Sequence, residues 1–517
     1  MSPRRRPTFI RPTTAPARLA RVPNHRDVLR AGIVLGGGGL LAACAGTTGP
    51  GLVRSDRPVL THGVQAGEVT ADSGLVWTRA DRPARMVVEV ASDPSFANPR
   101  RFEGPALTPD TDLTGRLRVP AAPGRTTFYR VGADGSEPVV GTFRRPPTGA
   151  EDVRFVWTGD VVGQGWGIDE SRGGMALYAA MRARDPDFLL HSGDTVYADG
   201  PLSETENLPD GSVWRNVLIP EKTKVAETLA EFRGQWAYNL LDTHYRAFQA
   251  AVPTYASWDD HEVTNNWYPG EVLTDAKYAQ EKRVDVLAGR ASQAFREWMP
   301  IEGNRIHRRI AYGPQLDVFV LDMRTNRGSN PDALTAPSTP ILGEEQVAWL
   351  LDGLASSRAT WKVIAADMPL GIVVKDGDTG IEAVANNGPG APAGREAEIA
   401  RVLTGIRERG VRNTVWLTAD VHYTAANRYT PERAGVAADP FWEFVSGPAH
   451  AGAFPASPLD PTFGPEQVFV HAPTRADVSP AEGFQHFGEV SISGGRMRVD
   501  LRDATGASLW STELTPA

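Results

Sequence analysis

The chain has 517 residues, 41% of them hydrophobic and 22% charged, with a formal net charge of −8. This is the composition of a folded protein rather than a disordered one, and the length exceeds that of one ordinary domain. No apolar run reaches the ~18–20 residues of a membrane-spanning helix, and the acidic balance argues against specific or general binding to nucleic acid.

The first 43 residues hold eight arginines against one acid, Asp27, and end in the apolar stretch AGIVLGGGGLLAA before Cys44, the one cysteine. A basic start, a short apolar middle and small residues ahead of a cut predict an export signal over residues 1–43. Leu41-Ala42-Ala43-Cys44 resembles a bacterial lipobox, in which Cys44 becomes the lipid-bearing first residue. The HRDVLR stretch resembles a twin-arginine export signal with His25 in place of the first arginine. The expected product is an exported lipoprotein, periplasmic or on the cell surface, monomeric and touching a membrane only through lipid on Cys44. Removing the signal leaves 46 basic residues against 61 acidic ones, near −15. An anionic ligand must then be drawn in by local positive charge, for which bound metals are a natural source.

Residues 44–57 read as a Gly-rich tether. Over 58–147 the runs GLVWTRA, ARMVVEVAS, GRLRVPA, TTFYRVGA and PVVGTFR are short and rich in β-branched or aromatic residues, with Gly, Pro, Asp and Ser between them. Such spacing predicts a small all-β sandwich of fibronectin or immunoglobulin type. RRPPTGAED is a linker stiffened by Pro146 and Pro147. Residues 151–517 alternate apolar runs with helical segments, the pattern of an α/β domain with a sheet layered by helices. Leu229, Phe232, Trp236, Leu240 and Tyr245 mark one helical stripe, and Val286, Leu287, Ala291, Ala294, Phe295 and Trp298 another, both read as core packing. The tail from His486 reads as closing antiparallel strands with a turn at Gly494-Gly495.

Six apolar runs of this second region end in aspartate. They are RFVWTGD at Asp160, DFLLHSGD at Asp194, PTYASWDD at Asp259 and Asp260, LDVFVLD at Asp322, WKVIAAD at Asp367 and TVWLTAD at Asp420. Strand interiors disfavour aspartate, so each is expected where a strand gives way to a loop. In layered α/β folds that end of a strand is where ligands bind. Carboxylates converging there repel one another unless cations lie between them. His261 follows Asp260 directly and His422 lies two after Asp420, so the oxygen-rich set gains imidazoles and suits hard and borderline metals. His191 sits in an apolar run and reads as a core histidine. His450 is either a pocket residue or an ordinary loop histidine. Arg324 and Arg327 are placed either to grip phosphate bidentately or to pair with Asp322 at the surface.

The order TGD, SGDTVY, WDDHEVTNN, ADVHY resembles the metallophosphoesterase superfamily, and the forms GDxxY, WDDHE and DVHY resemble its alkaline phosphatase D family in particular. LDMRTNR and FWEFVSGPAHAG are similar to that family's later segments. The resemblance implies a calcineurin-like β-sandwich with flanking helices, preceded by the small β-domain. It implies metal ligation by Asp160, Asp194 in the bridging place, Tyr197, Asp260, Asn265 or its neighbour Asn266, Asp420 and His422. Two or more ions follow, with Fe3+ at Tyr197 and Ca2+ nearby. Val161 stands where the family often has a cysteine ligand. His261, Asp260 and Arg324 are the residues expected to act on the substrate, His261 by protonating the leaving group or steadying phosphoryl oxygens. The implied activity is hydrolysis of small phosphate monoesters or diesters by metal-activated water. Two alternatives are a phosphodiesterase restricted to nucleic-acid, phospholipid or wall-polymer diesters, and a non-catalytic surface lipoprotein.

Overall fold

Along Val153–Thr158, Phe155 and Trp157 share one face and Val156 takes the other, and all three are fully buried. A strand apolar on both faces has to be covered on both. The computed structural model describes residues 57–388, 390–431 and 435–517. In it two sheets pack face to face, with helices against each outer side. One sheet of nine strands runs Ser508–Leu514, Arg496–Asp503, His486–Ser493, Val153–Thr158, Phe188–His191, Thr254–Ala256, Leu60–Gly67, Ser73–Ala80, Thr114–Pro120. The other, of seven strands, runs Arg308–Ala311, Leu316–Val320, Trp361–Ala365, Thr414–Thr418, Phe441–Val445, Thr424–Tyr429, Pro465–His471.

The shared core joins Phe155, Trp157 and Phe188 of the first sheet to Val318, Val363 and Leu417 of the second. Val156, Leu189 and Ala256 face outward onto the helices Ala176–Ala183, Leu229–Asn239, Thr243–Ala251 and Val284–Trp298. Phe319, Ile364 and Trp416 face outward on the opposite side, onto Glu344–Ser356 and Glu396–Glu408. Close packing needs one gap in the side-chain pattern. Gly488 lies across from Trp157, and a Cβ there would stand 2.0 Å from the indole.

Parallel pairing decides where the loops fall. Val153–Thr158, Phe188–His191 and Thr254–Ala256 are parallel neighbours in the first sheet. Leu316–Val320, Trp361–Ala365, Thr414–Thr418 and Phe441–Val445 are parallel neighbours in the second. Their carboxyl ends therefore lie along one edge of each sheet. Six of these seven strands are the six aspartate-ended runs of the sequence.

Between Leu60 and Arg144 the regular structure is seven strands and one short turn of 3-10 helix at Pro109–Thr111. Five strands follow the expected runs. Leu60–Gly67 and Arg100–Leu107 are additional, and both carry residues that weaken a strand pattern, Gly63 and Gly67 in one, Gly104 and Pro105 in the other. Arg100–Leu107, Ala84–Ala91, Thr126–Ala133 and Val139–Arg144 form their own four-stranded sheet. Leu60–Gly67, Ser73–Ala80 and Thr114–Pro120 instead join the nine-stranded sheet, where Gly67 pairs in parallel with Thr254.

The stripe from Leu229 to Tyr245 is two helices rather than one. Leu229–Asn239 stops short of Leu240, and Asp242 starts the next helix by accepting the backbone N–H groups of His244 and Tyr245. A capping aspartate offers the backbone a new start that apolar periodicity does not register. The closing strands are antiparallel, with Gly494 and Gly495 both at positive φ in the turn between two of them. Among the described residues no helix is long and apolar enough to cross a membrane. The expected export signal over 1–43, Cys44 and the tether up to residue 56 lie outside the described residues.

Candidate metal centre

Three of the carboxyl-terminal strand ends turn sharply. Asp160, Asp194, Asp420 and His422 all have φ between 51° and 68°, a left-handed conformation that few non-glycine residues adopt. Such backbone strain persists where the surroundings over-determine it, and it gathers at functional sites. Gly193 makes the closest approach possible. Its φ is 98°, and a Cβ there would stand 2.9 Å from the backbone nitrogen of Asp259. The loops ending in Asp194 and Asp259 can touch only because that side chain is missing.

Three overlapping groups of donor atoms result, the atoms within each lying no more than 4.8 Å apart. The first is Asp160, Asp194 and His422; the second is Asp194, Asp260 and His261; the third is Asp259, Asp260 and Asp420. Asp194 belongs to the first two and Asp260 to the last two, so the acids form one chain. The resemblance put Asp194 in a bridging place, and it is the carboxylate common to the two groups that contain histidine.

The imidazoles are held in defined orientations. His422 Nδ1–H donates to the carbonyl of Gly452 at 2.5 Å, which leaves Nε2 facing the Tyr197 hydroxyl at 2.8 Å and Asp160 Oδ1 at 3.5 Å. Burial lowers its pKa to about 4, so the ring is neutral and its Nε2 lone pair is available to a cation. His261 lies in the opposite regime. Its Nδ1 bonds Asp199 Oδ1 at 2.8 Å, its ring stacks on Tyr197 with centroids 4.1 Å apart, and its backbone N–H donates to Asp194 Oδ1 at 3.1 Å. Burial opposes its charge, but Asp199, Asp260 and Asp194 together raise its pKa well above the ordinary histidine value. Asp199 was not singled out in the sequence. It lies two residues beyond Tyr197 in TVYAD, and an acid so close to a proposed ligand was the available signal. It also accepts the backbone N–H of Asn265 at 2.8 Å.

Other candidates occupy definite places. Tyr197 is buried against both histidines. Asn265 is exposed, while Asn266 donates its backbone N–H to Asp260 at 2.6 Å and turns its side-chain amide to Asp376 at 3.0 Å. Val161 is fully buried among apolar neighbours and presents no ligand atom on its side chain. His191 shares a hydrogen bond with Thr195 in the core, at 3.2 Å. His450 donates from Nε2 to the carbonyl of Gly167 at 3.0 Å, and its backbone N–H braces the carbonyl of Asp160 at 3.0 Å.

Arg324 is not at the surface and does not pair with Asp322. It is fully buried, with Nε 2.5 Å from Asp259, Nη1 2.5 Å from Glu382, Nε 3.3 Å from Asp367 and Nη2 3.4 Å from Asp260. Asp322 instead caps its own turn, accepting the backbone N–H groups of Arg324 and Thr325 and the indole of Trp258. Arg327 likewise meets Glu382, at 3.2 Å. Both guanidinium groups thus serve as internal counter-charges beneath the acids.

These counter-charges do not balance the cluster. Burial, with the neighbouring Asp260 and Glu262, pushes Asp160 up to about 8 despite the opposing pull of His261. Burial and neighbouring acids likewise push Asp194, Asp259 and Asp420 well above the carboxylate range. Asp260 goes the other way, because His261 and Arg324 outweigh its burial and hold it near about 2. Asp160 Oδ2 is buried without a hydrogen-bond partner, although a buried carboxylate oxygen ordinarily has one. An excess of buried negative charge, an orphaned carboxylate oxygen and a set of carboxylate, imidazole and phenol donors fit hard or borderline cations.

The family model described as PhoD-like phosphatase matches residues 155–502, and that of the PhoD-like phosphatase N-terminal domain matches residues 45–147. A solved structure of PhoD has the same fold, with a TM-score of 0.67 at 22% identity over 89% of this chain and 90% of that one. Alkaline phosphatase D of Bacillus subtilis (strain 168) is 28% identical over 400 residues, which make up 71% of this chain. The match spans 65% of that relative, just under two thirds of its length. With one family model over residues 155–502 and a second over 45–147, the chain belongs to the PhoD-like phosphatase family.

Proposed function

We propose that the chain is an exported phosphoesterase that hydrolyses small phosphate monoesters, diesters or both. The observation that carries this reading is the pair of donor groups, Asp160–Asp194–His422 and Asp194–Asp260–His261, joined through Asp194. Two cations that share a carboxylate suit in-line displacement at phosphorus. The likeness to alkaline phosphatase D supports the same chemistry. Cations bound there would supply Lewis acidity, polarising phosphoryl oxygens and acidifying water.

The chain's own residues do the rest. Asp160, Asp194, Tyr197 and His422 would hold one cation; Asp194 and Asp260 would hold a second, with Asp420 beside Asp260 and Asn265 proposed to add an amide oxygen. Asp199 fixes His261 by its Nδ1 edge, so the proton on Nε2 faces the carboxylates and is placed to reach a departing alkoxide. Arg324 keeps Asp259 and Asp260 aligned from beneath. We assign ferric iron to the tyrosine-bearing position and calcium-like ions to the others. Burial and the nearby Asp194 and Asp160 hold the Tyr197 phenol protonated, and only a strongly bound cation would draw out its phenolate. An enzyme that is fully active without iron would contradict that assignment. Export through the N-terminal signal, with lipid on Cys44, completes the proposal. The mass of the mature N-terminus tests it, and an unmodified Cys44 would refute the anchor.

Asp194→Asn should lower turnover of both a chromogenic monoester and a chromogenic diester by at least ~100-fold while the protein stays folded by circular dichroism, the scale of losing a key electrostatic contact. Near-wild-type turnover in a folded variant would overturn the site. Asp199→Asn should act through His261 and so should depend on the leaving group. Alkyl phosphates, which need a proton on departure, should lose ~10²-fold or more, while p-nitrophenyl phosphate should lose much less. Equal losses on both substrates would show that His261 is not the proton donor.

A further inference from the structure

We infer that Glu262 is a positioning residue that locks together the two loops carrying the proposed metal-binding acids. It is 1% exposed and lies one residue beyond His261. Its Oε2 accepts the backbone N–H of Asp194 at 3.1 Å and that of Asp259 at 2.7 Å, and its Oε1 accepts the backbone N–H of Thr195 at 2.6 Å. Asp194 and Thr195 follow the strand Phe188–His191; Asp259 follows the strand Thr254–Ala256. One carboxylate thus satisfies three buried backbone donors from two neighbouring strand ends.

The arrangement has a directional consequence. Asp194 sits at φ 51°, so its carboxylate points correctly only while that strained turn is held. The N–H groups of Asp194 and Thr195 hold one side of the turn, and the contact at Gly193 holds the other. The same carboxylate fixes Asp259, the residue that Arg324 grips from below. Glu262 therefore acts on the spacing of Asp194 from Asp260 without itself being offered to a substrate. Outer partners of this kind raise the affinity of a site by preventing its ligands from spreading, and losing one usually costs ~10–100-fold in metal affinity or activity. An amide is a poor substitute, because Gln has one acceptor oxygen and would aim an NH2 donor at the backbone N–H groups that the second oxygen now receives.

The inference rests on the metal-centre reading above, and the test separates the two. Purified protein is stripped by chelation, and Ca2+ is titrated back by calorimetry into wild type, Glu262→Gln, Glu262→Asp and Val490→Ala. Val490 is fully buried in the core strand His486–Ser493 and serves as a purely structural control. Glu262→Gln should bind Ca2+ about 10–100-fold more weakly at unchanged stoichiometry, and saturating metal should restore most of its turnover. Glu262→Asp should fall between Gln and wild type, and it carries the test if Glu262→Gln does not fold. Val490→Ala should lower the melting temperature yet leave Ca2+ affinity unchanged. Unaltered affinity in the Glu262 variants, or an equal loss in Val490→Ala, would overturn the clamp while leaving the metal centre standing. A wild-type protein that takes up no Ca2+ would overturn the metal-centre reading, and the clamp with it.

Discussion

Mutual repulsion among buried carboxylates is the constraint around which this molecule is arranged. Two like charges ~4 Å apart at an effective dielectric of ~20 repel by about 4 kcal/mol, and a whole domain is stable by only roughly 5–15 kcal/mol. Asp160, Asp194, Asp259, Asp260 and Asp420 are nevertheless gathered at one edge of a sandwich whose core is otherwise apolar. Such a gathering survives only if something offsets it. Two offsets are part of the chain, Arg324 below the acids and the Asp199-held His261 beside them. They converge on Asp260, which is why it stays a strong acid while Asp160, Asp194, Asp259 and Asp420 do not. Of these, Asp160 and Asp194 lie next to a neutral His422, and Asp160 keeps a buried oxygen without a partner. That is the end of the cluster that calls for a cation from outside.

The fold makes the convergence possible because it keeps the acids out of its own hydrogen-bonding. Parallel strands from two sheets deliver their carboxyl ends to one edge, and the left-handed turns at Asp160, Asp194 and Asp420 swing the side chains away from the ladder. Helices on both outer faces and the two packed sheets between them exclude water from below, so each charge at the edge acts at close to full strength. Rigidity in the scaffold and strain at the rim are two sides of one design, since a turn held at φ 51° needs a partner that does not yield.

Much of this was legible in the sequence because strands disfavour aspartate, so six apolar runs that each ended in one announced six strand ends. All six strands are present, and the ordered GD, WDDHE and DVHY segments follow directly after their carboxyl ends. What the sequence concealed were partnerships between distant segments. Arg324 meets Asp259, Asp260, Asp367 and Glu382, residues from three other stretches of chain, and no local pattern distinguishes that from the surface pair with Asp322. Asp199 was passed over because a loop acid has many ordinary explanations, and only its 2.8 Å contact with His261 separates it from them. Two N-terminal strands escaped notice because glycine and proline interrupt their alternation, and one helical stripe ran on past the break that Asp242 imposes.

The most direct test of this account is metal content coupled to activity. Elemental analysis of the purified mature protein should find at least two metal ions per chain. Their removal by chelation should abolish hydrolysis of a chromogenic phosphoester and lower the melting temperature as the acids lose their counter-charge, and returning the ions should restore both. A protein that is free of metal, fully active and equally stable would show that the carboxylates at the strand ends are held together by something else.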